Sequence, residues 1–421
     1  MKISAFGERF GDQLGVLQLM DDFAALANSG GETIMLGGGN PACLPEVMQA
    51  YQEQLQSLAS DSSRFNAAFG NYDTPVGRME LVDALVKMLN REYGWGIGRE
   101  HIALTNGSQN AFFCLFNLFG GRRSDGTLQK VLLPMAPEYM GYSDVAVGER
   151  FFASHRPTIE ELPDGLFKYH VDFNAVNVGD DIGALCVSRP TNPTGNVLTD
   201  EELDHLDQMA RDKDVPLIVD NAYGAPFPNI TAGNITPNWN ENTVMCMSLS
   251  KIGLPAVRTG IVIAHPEIVR KIGAMNAVMN LSPGGIGPSI LAPLVNSGEI
   301  IKLSRQHIRP FYKAHAEFAR DRICKALAQT PARLHRPEGA IFVWLWMPDL
   351  PITSYDLYQR LKAKNVVVVP GEHFFPGLEE DDWKHKHECI RISVAQPESV
   401  LAKGLDIIIE EVKSLYAGAT A

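Results

Sequence analysis

Lys251 stands in the run Ser248-Leu249-Ser250-Lys251-Ile252-Gly253-Leu254-Pro255-Ala256-Val257-Arg258-Thr259-Gly260. A lysine behind two alternating serines, with an arginine and a glycine following, has the make-up of a covalent aldehyde site. The amine would hold an aldehyde cofactor as a Schiff base, and Ser248, Ser250 and Arg258 would hold a phosphate. Lysine suits this work because a desolvated amine near another cation has a lowered pKa and becomes nucleophilic. A lone lysine at a strand end has an ordinary surface reading. The company of Asn192-Pro193-Thr194-Gly195, Asp220, Tyr223 and Arg391 decides against it. Arg391 lies inside the apolar run Cys389-Ile390-Arg391-Ile392-Ser393. A buried cation needs an anionic partner. A substrate carboxylate gripped by the guanidinium fork is one candidate; a structural salt bridge is the other.

These residues need elements to bring them together. Short apolar runs occur at 102–104, 131–133, 185–187, 217–219, 244–247 and 261–264. Several are apolar throughout rather than alternating, which marks strands buried on both faces of a mostly parallel sheet. Thr199 and Glu202 form a capping box, and Leu203, Leu206 and Ala210 follow at near-helical spacing. The region from about 100 to 265 is therefore predicted as an α/β domain. The chemistry-bearing residues fall just past the carboxyl ends of the strands: Asn106-Gly107-Ser108, Tyr139, Asn192, Asp220 and Lys251. Open α/β sheets bind ligands along that edge, so five strand ends would converge on one pocket. After residue 300 a long helical stretch, further strands and a closing helix predict a smaller α+β domain. The expected division is 46–298 for the large cofactor-binding domain and 1–45 with 299–421 for the small one.

Composition excludes several classes. The chain has 421 residues, 45% hydrophobic, with a net charge of -12. Nucleic-acid phosphates select basic surfaces, so no nucleic-acid partner is expected. No apolar run approaches the roughly 18 residues of a membrane span. Glu8, Arg9 and Asp12 precede any apolar stretch, which argues against a signal peptide. Cys43, Cys114, Cys186, Cys246, Cys324 and Cys389 show no CxxC spacing. Reduced thiols and a cytoplasmic location are expected.

The chain resembles the fold-type I aminotransferases that use pyridoxal 5′-phosphate, over essentially its whole length. The resemblance rests on the lysine run, on Asp220-Asn221-Ala222-Tyr223 as an Asp-x-x-Tyr pattern, on Asn192-Pro193-Thr194-Gly195 and on Arg391. It implies that Lys251 carries the cofactor and later moves a proton. Asp220 would face the pyridine nitrogen, and Tyr223 with Asn192 would bond the ring's phenolic oxygen. Gly107, Ser108, Ser248, Ser250 and Arg258 would cradle the phosphate, partly through helix N-terminal amides, and Tyr139 would stack on the ring. Arg391, Asn192 and Gly39 would receive the substrate carboxylate. Tyr72 would reach the phosphate of a neighbouring subunit, implying a homodimer. The run Leu36-Gly37-Gly38-Gly39-Asn40-Pro41-Ala42 and the short Lys251-to-Arg258 spacing point to the branch acting on valine and pyruvate. In much of the family the phosphate arginine lies one residue further on, so the loop geometry cannot be copied from the common form.

The implied reaction is a ping-pong transamination giving 2-oxoisovalerate and alanine. A β-eliminating lyase or a cyclopropane-forming synthase would use the same cofactor residues and remains the alternative. A cofactor-sensing regulator fused to a DNA-binding domain is disfavoured by the charge and by a fold that begins almost at Met1. Gly284-Gly285-Ile286-Gly287 is not a dinucleotide fingerprint, because neither a strand before it nor a helix after it is predicted; a loop near a subunit interface is expected. His385 and His387 are expected to be solvated, and no catalytic metal is expected.

Overall fold

The computed structural model describes residues 2–8, 33–148 and 151–419. In chain order its strands are β1 (Ile34–Met35), β2 (Ile102–Thr105), β3 (Gly121–Arg122), β4 (Leu128–Leu133), β5 (Phe152–Ser154), β6 (Thr158–Leu162), β7 (Leu166–His170) and β8 (Ile182–Ser188). They continue with β9 (Leu217–Asp220), β10 (Thr243–Ser248), β11 (Gly260–Ile263), β12 (Arg333–His335), β13 (Phe342–Trp346), β14 (Val366–Val367), β15 (Val369–Pro370) and β16 (Cys389–Ser393).

The central sheet runs β2-β11-β10-β9-β8-β4-β3, with β5 on β4. β4, β5, β8, β9 and β10 are mutually parallel where they pair, and β11 is antiparallel to both its neighbours. The unbroken apolar runs have a simple cause. Successive side chains point to opposite faces, and both faces are covered. Leu217 and Val219 enter one hydrophobic cluster and Ile218 enters the other; Met245 and Met247 likewise part from Val244 and Cys246. The Thr199 box closes as predicted: its hydroxyl accepts from Glu202 N at 3.1 Å, and the Glu202 carboxylate accepts from Thr199 N at 2.8 Å. Parallel register aligns the strand ends. Ser188 pairs with Asp220, and Asp220 with Cys246.

A second sheet runs β15-β16-β13-β12-β7-β6. β1 pairs with β14, and Leu36 O accepts from Ser393 N at 2.7 Å. The described part of the first 45 residues thus packs with the C-terminal part; residues 9–32 of that piece lie outside the described residues. The hairpin β6–β7 also joins this sheet, through β7 on β12. A boundary that assigns all of 46–298 to the large domain therefore leaves the central sheet whole but divides the second sheet. Sequence periodicity could not reveal this, because the pairing spans more than 160 residues.

Two local expectations are corrected. A helix, Ile286–Ser297, begins directly after Gly285. Gly287, Pro288, Ser289, Ile290, Leu291 and Ala292 are all buried, and a helix buried on all sides carries no amphipathic period to detect. The element before the glycines is the helix Pro266–Asn280 rather than a strand, so the run is still no dinucleotide loop. His385 is not solvated. It is 3% exposed, contacts the Tyr169 hydroxyl and stacks on Trp383, and burial pushes its pKa down to about 3. His387 is exposed and pairs with Glu372 at 2.8 Å.

Candidate active site

Ser108, Gln109, Tyr139, Ser188, Pro190, Asn192, Asp220, Tyr223, Ser248, Ser250, Lys251 and Arg258 line one cavity of about 140 Å³ at the carboxyl edge of the central sheet. Larger grooves along residues 371–387 contain none of them. Burial lowers the Lys251 amine to about 8, helped by the charges of Arg391 and Arg258 and opposed by Asp220. Its Nζ donates to Gly39 O at 2.8 Å and lies 5.6 Å from the Tyr223 ring centre. A neutral amine is the form that adds to an aldehyde. Cofactor capture by the apoprotein is therefore expected to accelerate with pH and level off above about 8. Stopped-flow absorbance across that range measures it, and a flat rate through pH 8 would contradict the lowered amine.

Asp220 ends β9 with 8% exposure. Its Oδ1 accepts from Ala222 N at 3.0 Å and its Oδ2 from the Tyr142 hydroxyl at 2.9 Å. Burial raises it to about 6, against those two bonds and the Lys251 charge. Such an anion calls for a cationic partner, which a protonated ring nitrogen would satisfy.

The side expected to receive the phosphate is built from two turns. Gly107 (φ +88°) precedes the helix Ser108–Phe119, leaving free amides at its first turn. The short loop after Lys251 places Arg258 in the left-handed region, φ +46°. Its Nη1 reaches Ser250 Oγ at 3.4 Å and Pro255 O at 3.2 Å, while Ser248 Oγ accepts from Ser250 N at 3.1 Å. A Cβ on Gly107 would collide with the Arg258 guanidinium. Gly107→Ala is expected to weaken cofactor binding about 10–100-fold, the worth of one charge-assisted bond to phosphate. Equilibrium dialysis reads this, and unchanged affinity would remove Gly107 from the cradle.

Arg391 is 5% exposed at the centre of β16. Nη1 donates to Asn192 Oδ1 at 2.8 Å and Nη2 to Gly37 O at 2.7 Å; Nε has no partner. Its guanidinium lies 4.0 Å from the Phe342 ring centre and 5.1 Å from that of Phe374. Burial lowers its pKa to about 10. A Cβ on Gly39 would meet Lys251 Nζ at 3.8 Å, ordinary contact. Tyr72 is 79% exposed and is not a cavity residue of this single chain.

Sequence reasoning missed Glu138, Tyr142, Ser188, Gln109 and Gly37. Glu138 and Tyr142 flank Tyr139, but no local pattern says that a glutamate will be buried. The donor set fits a phosphorylated aldehyde with a basic ring: an amine of low pKa, a buried carboxylate, an arginine with serines, and a separate guanidinium for a carboxylate.

The pattern of the family described as aminotransferase class I and II matches residues 31–408. The chain is 49% identical to valine–pyruvate aminotransferase of Escherichia coli K12, over 99% of each chain. A putative amino-acid aminotransferase of Psychrobacter arcticum superposes with a TM-score of 0.96 at 48% identity, covering 99% of both chains. Valine–pyruvate aminotransferase of Salmonella typhimurium superposes at 0.87 and 45% identity, over 96% of this chain and all of that one. With this fold, this constellation at its strand ends and this likeness along its length, the chain belongs to the class I and II aminotransferases, enzymes that depend on pyridoxal 5′-phosphate.

Proposed function

We propose that the chain moves the amino group of valine, or a similarly small apolar amino acid, to pyruvate, giving 2-oxoisovalerate and alanine. The full-length 49% identity to a valine–pyruvate aminotransferase carries the substrate pair. When bound, pyridoxal 5′-phosphate supplies an aldehyde for the amino group and an electron sink for the charge left at Cα. Arg258, Ser248, Ser250, Ser108 and the Gly107 turn hold its phosphate. Tyr139 would face its ring, and Asn192 with Tyr223 would bond its phenolic oxygen. Asp220 would keep its nitrogen protonated.

Arg391 grips the substrate carboxylate, with Asn192 and the backbone at Gly39 beside it. Lys251 then stands where its amine can take the Cα proton and return it elsewhere. A lysine free at about pH 8 is matched to both directions of that transfer. A lyase would share these residues, but the full-length relative is an aminotransferase, so elimination is not favoured. Pyruvate released without a keto-acid acceptor would be its signature.

The active unit is a homodimer in this reading, with Tyr72 reaching the partner's phosphate. Exposed Tyr72, Phe65, Phe69, Leu281 and Ile286 support a covered apolar face. We place the protein in the cytoplasm, supported by six unpaired cysteines. No helix among the described residues is long and apolar enough to cross a membrane.

The test is the visible spectrum of the holoenzyme with valine alone, then pyruvate alone. Valine should remove the band of the lysine-bound cofactor, and pyruvate should restore it. A band that valine leaves intact rejects the donor. One methylene is worth about 10–200-fold in an apolar pocket, so 2-aminobutyrate is expected to turn over as well. Turnover restricted to a single donor would contradict that.

A further inference from the structure

Four buried oxygens form a line behind the carboxylate that ends β9. Glu138 Oε2 lies 2.5 Å from Ser188 Oγ, Ser188 Oγ lies 3.1 Å from the Tyr142 hydroxyl, and that hydroxyl lies 2.9 Å from Asp220 Oδ2. Exposure is 2% for Glu138, 2% for Ser188, 0% for Tyr142 and 8% for Asp220. Only Ser188 and Asp220 touch the cavity, so the hydrogens of the line are taken from its own groups. Each hydrogen bond requires one hydrogen. The three contacts need three, and the hydroxyls of Ser188 and Tyr142 carry one each. If both carboxyls were ionised, one buried oxygen pair would face each other with no hydrogen between them. The missing hydrogen has to be a carboxyl proton.

We infer that Glu138 is a neutral acid that stores one proton for Asp220, donating through Ser188 and Tyr142 so that both hydroxyls point toward the Asp220 carboxylate. The inference rests on the reading that Asp220 faces the ring nitrogen. The line has two directions. With the proton on Glu138, Glu138 donates to Ser188, Ser188 to Tyr142 and Tyr142 to Asp220. In the other direction the Glu138 O–H breaks as Ser188 Oγ takes its proton. Ser188 passes its own proton to Tyr142, and Tyr142 passes its own to Asp220. Three O–H bonds break, three form, and the pair keeps one negative charge throughout.

The surroundings favour the first direction. Ser188 N also donates to Glu138 Oε1 at 2.8 Å, and Phe374 O accepts from Glu138 N at 2.8 Å, so the side chain and backbone are held. Burial raises Glu138 to about 8, with the Asp220 charge adding to this and the hydrogen bonds from Ser188 and from Tyr139 N (3.4 Å to Oε2) opposing it; Asp220 itself stands at about 6. The other titratable groups facing the line are Cys186 and Cys246 on β8 and β10, both pushed up by burial, the phenols Tyr139 and Tyr223, also pushed up by burial, and Lys251 beside Asp220. Arg258 and Arg391 act on Tyr139 and Lys251, which in turn interact with Asp220. Glu138 is thus a positioning residue: it touches no substrate but decides which way Tyr142 donates, and so keeps Asp220 an anion opposite the ring.

The experiment is infrared spectroscopy of holoenzyme grown with carboxyl-labelled glutamate. A protonated-glutamate carbonyl band is expected at neutral pH, fading through about pH 8 and absent in Glu138→Gln. Wild-type spectra with no protonated glutamate at neutral pH would overturn the inference, whether or not any variant folds. Glutamine can donate to Ser188 but cannot release a proton, whereas leucine can do neither. Cofactor affinity should therefore be higher in Glu138→Gln than in Glu138→Leu by about tenfold, one hydrogen bond's worth. Equal affinities would also overturn it. The two failures separate cleanly. A missing glutamate band sinks the proton store and leaves Asp220 in place, whereas a cofactor spectrum that Asp220→Asn does not alter sinks the Asp220 reading and leaves the buried acid.

Discussion

Lys251→Ala should abolish transamination while leaving the protein able to bind cofactor. Two losses coincide at one atom. In the proposed reading the amine is both the covalent attachment point and the base for the substrate Cα proton. General acid–base catalysis alone is worth about 10²–10⁴-fold, and loss of the covalent step adds to that. Turnover should fall by at least roughly 10⁴-fold. The phosphate cradle does not include Lys251. Gly107, Ser108, Ser248, Ser250 and Arg258 remain in place, so the cofactor should still be retained non-covalently and lost on dialysis. Alanine formation from valine and pyruvate gives the first readout, and absorbance after dialysis gives the second. Retained turnover would overturn the assignment of Lys251.

Arg391→Ala is the second large effect. Among the described residues no carboxylate stands within ion-pair distance of Arg391, although it is 5% exposed. Its bonds go to a side-chain amide oxygen and a backbone carbonyl, and Nε remains unpartnered. The cation is thus held between Phe342 and Phe374 with its charge uncompensated until a carboxylate arrives. Two charge-assisted bonds at about 1.5–3 kcal/mol each correspond to roughly 10²–10⁴-fold in kcat/KM. The loss should fall alike on amino acids and keto acids, because both present the same carboxylate. Arg391→Lys should not restore it, since an ammonium lacks the planar fork. Steady-state kinetics on valine, alanine and both keto acids decide the matter. A change confined to side-chain preference would show that Arg391 is not the carboxylate grip.

Much of this was legible in the chain because the signals are local. The strands buried on both faces read as unbroken apolar runs, and the helix after Thr199 carries its own cap. Asp220 follows an apolar run directly and Asn192 and Lys251 follow theirs within a few residues, so their place at the sheet edge required only the parallel topology. Other features are not local. His385 reads as one of several charged or polar residues in sequence, yet it packs under Trp383 and Tyr169. The hairpin β6–β7 finds its sheet partner in β12, far along the chain. The helix Ile286–Ser297 is buried over six consecutive residues, Gly287 to Ala292, which erases the periodicity that would announce it.

Residue types and order by themselves determined that this protein has a lysine, an aspartate, an asparagine and two arginines fit for amino-group chemistry, and which strand ends carry them. Tertiary structure alone decided their electrical state. The Lys251 amine is lowered and Asp220 raised because both are desolvated, and desolvation depends on what packs around a group rather than on its neighbours in sequence. The same holds for Glu138. Its contact with Ser188 spans 50 residues, and the Tyr142 bond to Asp220 spans 78. Only the folded chain sets three contacts against the two hydroxyl hydrogens of Ser188 and Tyr142.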